Sequence, residues 1–197
     1  MQRTVLKTPV VGPLLRGVAK AFLKVNGWHI DGYPPDVPKA VVIAAPHTSN
    51  WDFVYALAVC FAANANIYWM GKHTLFRWPF SGFMKWLGGI PVDRARGYNA
   101  AKQAINAFKN AEDLLVVIPP EGTRSKAEGW KGGFYLIARG AKVPICLGYL
   151  DYRRKAGGFG PVIYPENVEE DMGKMREFYG QVTGRFPEKA SDIILSG

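Results

Sequence analysis

Three short, predominantly apolar runs constrain the fold of this chain more than any other feature of its sequence. They are AVVIAA at residues 40–45, DLLVVI at 113–118 and the run at 143–150. Runs of this kind are typical of strands buried on both faces, as in parallel sheets with helices on each side. Patterns with helical spacing separate them. The sequence therefore predicts an α/β fold with a mixed, mostly parallel sheet flanked by helices.

The whole chain, residues 1–197, is expected to form a single domain, because 197 residues is an ordinary length for one. Its predicted parts are an N-terminal helix region at 1–30, an α/β core at 40–165 and a C-terminal helix region at 166–197. Within the core, residues 155–160 are interpreted as a glycine-rich turn that precedes a short returning strand at 162–164.

The balance of charge indicates an anionic partner. The chain has 25 Lys and Arg against 16 Asp and Glu, a net charge of +9. The excess lies in residues 1–155, where 21 basic and 9 acidic residues give +12, whereas residues 156–197 have 4 and 7, giving −3. Nucleic acid, a membrane surface or a phosphorylated substrate would each fit a basic surface. A merely basic, soluble protein fits the charge equally well.

An amphipathic helix is predicted at residues 10–26. Its apolar positions recur at helical spacing: Leu14, Leu15, Val18, Phe22 and Val25. Its basic positions form a second row: Arg16, Lys20 and Lys24. Such a helix can lie in a lipid interface with the apolar residues inserted, or it can pack on the core with solvated lysines. No apolar run reaches the ~18 residues of a membrane-spanning helix.

His47 and Asp52 are the first candidates for chemistry, since they lie where a predicted strand ends and a predicted helix begins. Thr48, Ser49 and Asn50 are residue types that open helices. From the first helical turn, the Asp52 carboxylate can fold back to the imidazole, fix its tautomer and support the imidazolium. The other ring nitrogen could then take a proton from a hydroxyl. Taken alone, the spacing favours a simpler interpretation, a polar helix start.

A second candidate region, PEGTRS at residues 120–125, follows the strand predicted at 113–118. A glycine turn there would expose backbone N–H groups, and the Arg124 guanidinium is suited to a phosphate. Arg94 is expected to face the same cleft, and Lys72 adds positive charge nearby. Taken singly, each basic residue is most often a solvated surface residue.

Four sequence blocks connect these candidates: HTSNWD at 47–52, GKHTLFRWPFSGFMKWLGGIPVDR at 71–94, PEGTRS at 120–125 and VPI at 143–145. Their order and approximate spacing resemble the glycerolipid acyltransferase family, in the branch of the 1-acylglycerol-3-phosphate and related lysophospholipid acyltransferases. The chain departs from the family pattern at Trp51 and at Pro119-Pro120, where an aromatic–proline pair is common. These departures leave the acceptor lipid open.

The resemblance implies roles for individual residues. It implies that His47 is a general base and that Asp52 is its partner. It also implies acceptor-phosphate contacts at Arg94, Glu121, Gly122 and Arg124, and an acyl or acceptor pocket shaped by Val143, Pro144 and Ile145. Lys72, for its charge, and Thr123, within the third block, are added to the expected substrate-binding residues.

The reaction implied is transfer of a fatty acyl group from acyl-CoA or acyl-carrier protein to the free hydroxyl of a lysophospholipid, with 1-acylglycerol-3-phosphate preferred. Neither a metal nor a cofactor is expected. The protein is expected at an anionic membrane surface, as a peripheral protein on the cytoplasmic face. The alternatives are an aminolipid acceptor, a non-catalytic phospholipid-binding protein on the same fold, and a nucleic-acid-binding module. The intact His47 and Asp52 argue against the second, and no nucleic-acid motif is recognised.

Overall fold

A seven-stranded sheet organises the fold. The computed structural model describes residues 4–92 and 97–196. Their strands are β1 His29–Ile30, β2 Lys39–Ala44, β3 Ile67–Lys72, β4 Gly89–Val92, β5 Leu114–Ile118, β6 Trp130–Lys131, β7 Ile145–Asp151, β8 Ala156–Ile163 and β9 Leu195–Ser196. Their α-helices are α1 Val11–Val25, α2 Trp51–Ala62, α3 Ser81–Trp86, α4 Gly97–Asn110, α5 Gly133–Ala141 and α6 Val168–Tyr179. Short 3₁₀ helices occupy His73–Phe76 and Pro187–Lys189.

The strand order in the main sheet is β1-β8-β7-β2-β5-β3-β4, and β6 pairs with β9 in a separate two-stranded sheet. The pairs of β2 with β5 and β7, and of β3 with β4 and β5, are parallel. Only β8 runs antiparallel to its neighbour β7, and β1 is parallel to β8. The predicted α/β fold with a mixed, mostly parallel sheet is confirmed.

Strand β2 lies at the centre of the sheet and is buried on both faces, as its continuous apolar run predicts. Successive side chains of a strand point to opposite faces. Val41 and Ile43 pack with α4, α5 and α6, whereas Ala40 and Val42 pack with Cys60 of α2. The sheet therefore has helices on both sides, and the carboxyl ends of its parallel strands meet at one edge.

Strand β8 is longer than the sequence suggested. Residues 155–160, interpreted as a glycine-rich turn, mostly belong to this strand, so that interpretation was wrong. Glycine is required because neighbouring backbone approaches closely: a Cβ on Gly158 would overlap the carbonyl group of Asp31. Three of the first five residues of β8 are glycine, which lacks the side chain by which strands are recognised in sequences.

Helix α1 forms where it was predicted, and its apolar residues are divided between a buried and an exposed face. Ala19 and Leu23 are buried against α2, and the opposite side exposes an apolar stripe of Val10, Leu14, Val18 and Val25. Leu15 and Phe22 lie between these two faces and are half-buried, and the Arg16 guanidinium donates to the side chain of Asn64. Lys20 and Lys24 remain exposed beside the stripe.

Candidate active site

The loop between β2 and α2, residues 45–50 and hereafter the His47 loop, begins at the carboxyl end of the central strand. Ser49 Oγ accepts a hydrogen bond from the Trp51 N–H at 3.1 Å. Asp52 Oδ2 accepts from the N–H groups of Thr48 and Ser49 at 2.8 and 2.9 Å. The carboxylate therefore satisfies backbone donors at the start of α2, where negative charge is also favoured by the helix dipole.

The same carboxylate contacts the imidazole. His47 Nδ1 lies 3.2 Å from Asp52 Oδ2. Asp52 is only 5% exposed, while His47 is partly open to solvent. The structure thus brings together the two side chains that the sequence placed in a loop and in a first helical turn. Because Nδ1 faces the carboxylate, Nε2 is the ring nitrogen available to a substrate.

Sequence reasoning missed a third member of this arrangement, Tyr152, which follows β7. Its hydroxyl donates to Asp52 Oδ1 at 2.8 Å. The separation of 100 residues hides this contact from any local pattern. A usable signal existed in the topology, since β7 pairs with β2 in parallel and both strands end at the same edge of the sheet.

Hydrogen bonds keep Asp52 ionised. Burial would by itself raise the pKa of this carboxyl. Hydrogen bonds from His47, from Tyr152 and from the backbone N–H groups of Ser49 and Thr48 outweigh it and hold the pKa below its usual value. Asp52 is therefore a carboxylate at neutral pH, able to stabilise a positive charge on His47.

The second loop, residues 119–125 and hereafter the rim loop, follows β5 at the same edge. Its Glu121 is buried, only 1% exposed, and its Oε2 accepts from the backbone N–H of His47 at 2.9 Å. Burial raises the pKa of Glu121 to about 7, opposed by hydrogen bonds from the backbone of His47 and Ser191. Glu121 therefore connects the two loops.

A cavity of about 650 Å³ opens beside His47 and Asp52. Gly122, Thr123 and Arg124 of the rim loop are part of its wall and are exposed. Its apolar part runs between α2 and the sheet and is lined by Val42, Val59, Cys60, Ile67, Trp69, Leu150 and Phe159. A polar, partly charged mouth therefore leads into an apolar interior, as in sites that take amphipathic ligands.

Lys131 is a further cation near the mouth that the sequence analysis did not single out. The Lys131 N–H donates to the carbonyl oxygen of Pro120 at 2.9 Å. A Cβ added to Gly122 would come within 3.2 Å of Lys131 Nζ. Gly122 itself has a φ of +67°, the left-handed region that favours glycine. The ammonium group thus lies directly beside the rim loop.

Of the other predicted substrate-binding residues, the described part of the chain places Val143, Pro144 and Ile145 away from this cavity. Arg94 lies outside the described residues, and of Lys72 the structure describes the backbone in β3. Val143, Pro144 and Ile145 are buried at the amino end of β7, where Val143 and Ile145 pack in the core below α5 and α6. Ile145 pairs with Val41, and the cavity wall begins further along β7, at Gly148.

Within residues 4–92 and 97–196, no group of three or more His, Cys, Asp or Glu side chains could hold a metal ion. No helix in those ranges is long and apolar enough to cross a membrane.

Comparison with known proteins places these loops in a family. The family described as Acyltransferase matches residues 33–148, more than half of the chain. No curated protein sequence matches the chain. Among solved structures, the 1-acyl-sn-glycerophosphate (LPA) acyltransferase PlsC from Thermotoga maritima is similar. The TM-score is 0.57 and the sequence identity 18%, over 85% of this chain and 76% of that chain. That likeness shows a shared fold. Because the family match spans both the His47 loop and the rim loop, the chain belongs to the Acyltransferase family.

Proposed function

We propose that this acyltransferase moves a fatty acyl group from an acyl thioester, acyl-CoA or acyl-carrier protein, to the free hydroxyl of a lysophospholipid. The preferred acceptor is 1-acylglycerol-3-phosphate, and the product is phosphatidate. One observation carries the proposal: a His–carboxylate pair lies at the mouth of an apolar cavity whose rim bears an exposed arginine.

In the proposed mechanism, His47 Nε2 removes the proton of the acceptor hydroxyl. The hydroxyl oxygen then attacks the thioester carbonyl carbon, the C–S bond breaks, and the imidazolium returns the proton to the leaving thiolate. The products are an ester and a free thiol, so atoms and charge balance. Asp52 stabilises the imidazolium between the two transfers. General acid–base catalysis of this kind contributes typically 10²–10⁴-fold.

The apolar part of the cavity is assigned to an acyl chain. Each CH₂ group transferred from water into such an interior gains about 0.8 kcal/mol. The chain would lie between α2 and the sheet, with its carbonyl end towards His47. Asp52 and Phe159 line the same cavity, which supports an acyl chain that runs from His47 into the apolar interior.

The rim is assigned to the acceptor phosphate. Arg124 offers a guanidinium, Thr123 a hydroxyl and the turn at Gly122 backbone N–H groups, a combination suited to an anion. Lys131 is added to this set because of its position beside Gly122. Arg94 and Lys72 remain predictions for the same role. For Glu121 we propose a different one, holding the His47 loop, because its buried carboxylate is bonded to that loop's backbone.

Two exposed apolar surfaces are assigned to a membrane contact. The stripe on α1 includes Leu14, 65% exposed, and the segment before and within α3 includes Trp78 at 91% and Phe83 at 52%. Leu75 and Met84 of that segment also line the cavity. A lipid substrate could thus pass from a bilayer into the cavity without crossing water. Lys20 and Lys24 would meet anionic headgroups.

The reaction is tested with purified protein, labelled acyl-CoA and acyl-carrier protein, and a panel of lysophospholipid, lyso-aminolipid and neutral monoacylglycerol acceptors. Release of free thiol and formation of diacyl product are followed together. We expect both with the phosphate-bearing acceptor, and loss of both in His47→Ala. His29→Ala is the matched control, because His29 is exposed and lies at the far sheet edge in β1. Near-normal turnover in His47→Ala, or no turnover with any acceptor, would contradict the proposal.

Membrane binding is tested by sedimentation with vesicles of anionic or neutral lipid. Lys20→Glu with Lys24→Glu should weaken binding to anionic vesicles at least tenfold, since each basic residue near such a surface contributes about 1 kcal/mol. Arg16 is left unchanged because its side chain is bonded to Asn64. The control is Lys102→Glu with Lys109→Glu, which reverses two exposed lysines on α4. If both double variants sediment as the parent does, the contact lies elsewhere.

A further inference from the structure

We propose that Tyr152 is a positioning residue of this active site, whose hydroxyl holds the Asp52 carboxylate in the orientation that His47 uses. The effect of Tyr152 on catalysis rests on the proposed function. The positioning of Asp52 by Tyr152 rests on the contacts described below.

The two oxygens of Asp52 are held differently. Oδ2 receives two backbone N–H groups and faces His47 Nδ1. For Oδ1, the described residues provide one hydrogen bond, the 2.8 Å contact from the Tyr152 hydroxyl. Loss of that donor leaves a nearly buried carboxylate oxygen without a partner. The carboxylate must then rotate or admit water, and rotation would disturb the contact with His47.

Tyr152 is itself fixed before any substrate binds. Its ring packs edge-on against Trp28, at a centroid distance of 4.9 Å, and against Tyr55 at 5.8 Å. The Arg185 guanidinium lies 5.8 Å from the ring centroid. The Tyr152 N–H donates to the Thr183 carbonyl oxygen at 2.9 Å. A donor held on several sides pays no further ordering cost when the reaction begins.

The chemistry of the phenol suits a permanent donor. Burial, together with the hydrogen bond to Asp52, raises the pKa of Tyr152 well above its usual value. The hydroxyl therefore keeps its proton across the range in which a His–Asp pair operates. Tyr152 is not part of the cavity wall, so it acts through Asp52 and not on the substrate.

The test compares Tyr152→Phe with Tyr55→Phe. Both changes remove one hydroxyl from the same aromatic cluster and leave the rings, but the Tyr55 hydroxyl makes only a 3.5 Å contact with Asn26. We expect Tyr152→Phe to lower kcat about tenfold with KM within about twofold, because a hydrogen bond to a charged group is lost away from the substrate. Tyr55→Phe should stay within about twofold of the parent in both. Equal losses in the two variants would overturn the proposal.

A combined variant separates positioning from general packing. If Tyr152 acts through Asp52, adding Tyr152→Phe to Asp52→Asn should lower kcat by less than about twofold, because the carboxylate it supports is already gone. A packing role predicts the full tenfold loss in both backgrounds, and that result would also overturn the proposal.

A third measurement does not depend on activity. The Asp52 carboxyl is titrated by carbon-detected NMR in the parent, Tyr152→Phe and Tyr55→Phe. Removal of a donor to the charged form should raise the pKa of Asp52 in Tyr152→Phe alone. An unchanged titration would refute the proposal. Should the parent turn over no acceptor, the proposed function fails, whereas this titration still decides the role of Tyr152.

Discussion

The His47 loop and the rim loop occupy the same edge of the sheet, after β2 and β5, yet they are built in opposite ways. In the first, Thr48 and Ser49 are buried, and their N–H groups are bound by Asp52. In the second, Gly122 to Ser125 are exposed, and two short-range hydrogen bonds are described for them, Gly122 N–H to Pro119 O and Ser125 N–H to Thr123 Oγ1.

The difference follows from what each loop has to do. Proton transfer requires a donor and an acceptor held in a fixed orientation, which buried hydrogen bonds provide. Capture of a charged ligand requires a cation that solvent and ligand can reach. Glu121 belongs to the rim loop in sequence but to the His47 loop in its contacts, and it fixes the position of one loop relative to the other.

Of the three substitutions that test this comparison, Asp52→Asn should lower turnover most, because it removes the charge that binds the N–H groups of the His47 loop. We expect turnover to fall by about 10²–10⁴-fold, since an amide does not stabilise an imidazolium. Thioester turnover at a saturating acceptor concentration measures it.

The same change also weakens the start of α2, where a carboxylate contributes about 0.3–1 kcal/mol. Melting temperatures of Asp52→Asn and of the exposed Asp36→Asn are therefore compared with the rates. A rate loss that tracks the loss of stability, or turnover within about threefold of the parent, would remove Asp52 from the mechanism.

Arg124→Ala tests the exposed rim loop and should weaken binding of the acceptor. We expect KM for the phosphate-bearing acceptor to rise about 10–100-fold, because a charge-assisted hydrogen bond is lost, while a neutral acceptor changes little. Arg124→Lys should recover only part of the loss, because an ammonium cannot make a bidentate contact.

Lys126→Ala is the control for Arg124→Ala, since Lys126 is an exposed cation just beyond the rim loop that does not line the cavity. Equal losses of Arg124→Ala on phosphorylated and neutral acceptors would exclude a phosphate contact. The arginine would then serve the acyl donor or the loop itself.

The sequence predicted the parts of the molecule whose causes are local. The apolar runs give β2, β5 and β7, and residues 47 and 52 meet because a strand end and a helix start adjoin in the chain. Helix α1 was found by its periodicity, but the pattern could not tell which face would pack on α2. Its single apolar row groups the half-buried Leu15 and Phe22 with the exposed Leu14 and Val18.

Contacts between distant residues were out of reach. Tyr152 touches Asp52 only because β7 pairs beside β2, and Glu121 meets Ser191 only because the C-terminal segment returns over the loops. The VPI block was expected at a pocket from its resemblance, but residues 143–145 lie at the amino end of β7 and do not line the cavity described. A strand's residues are visible in a sequence, whereas its neighbours are not.

The smallest expected effect on turnover belongs to Glu121→Gln, which tests the link between the loops through stability. The carboxyl pKa is raised from 4.5 to about 7 in the folded protein. Between these values the folded state keeps a proton that the unfolded chain releases, so this group's contribution to stability falls as pH rises through the window. A glutamine does not titrate.

Glu121→Gln loses an acceptor oxygen and should be less stable than the parent at pH 4.5. This gap in stability should narrow as the pH rises to 7.5. Melting temperatures across that range measure the gap, with the exposed Glu128→Gln as the control that follows the parent. Turnover of the folded variant at neutral pH should stay within about threefold, because an amide oxygen can still accept from the His47 N–H. If the melting temperatures of Glu121→Gln and the parent change with pH in parallel, Glu121 is ionised over the whole range. It then connects the two loops as a carboxylate and does not titrate between pH 4.5 and 7.5.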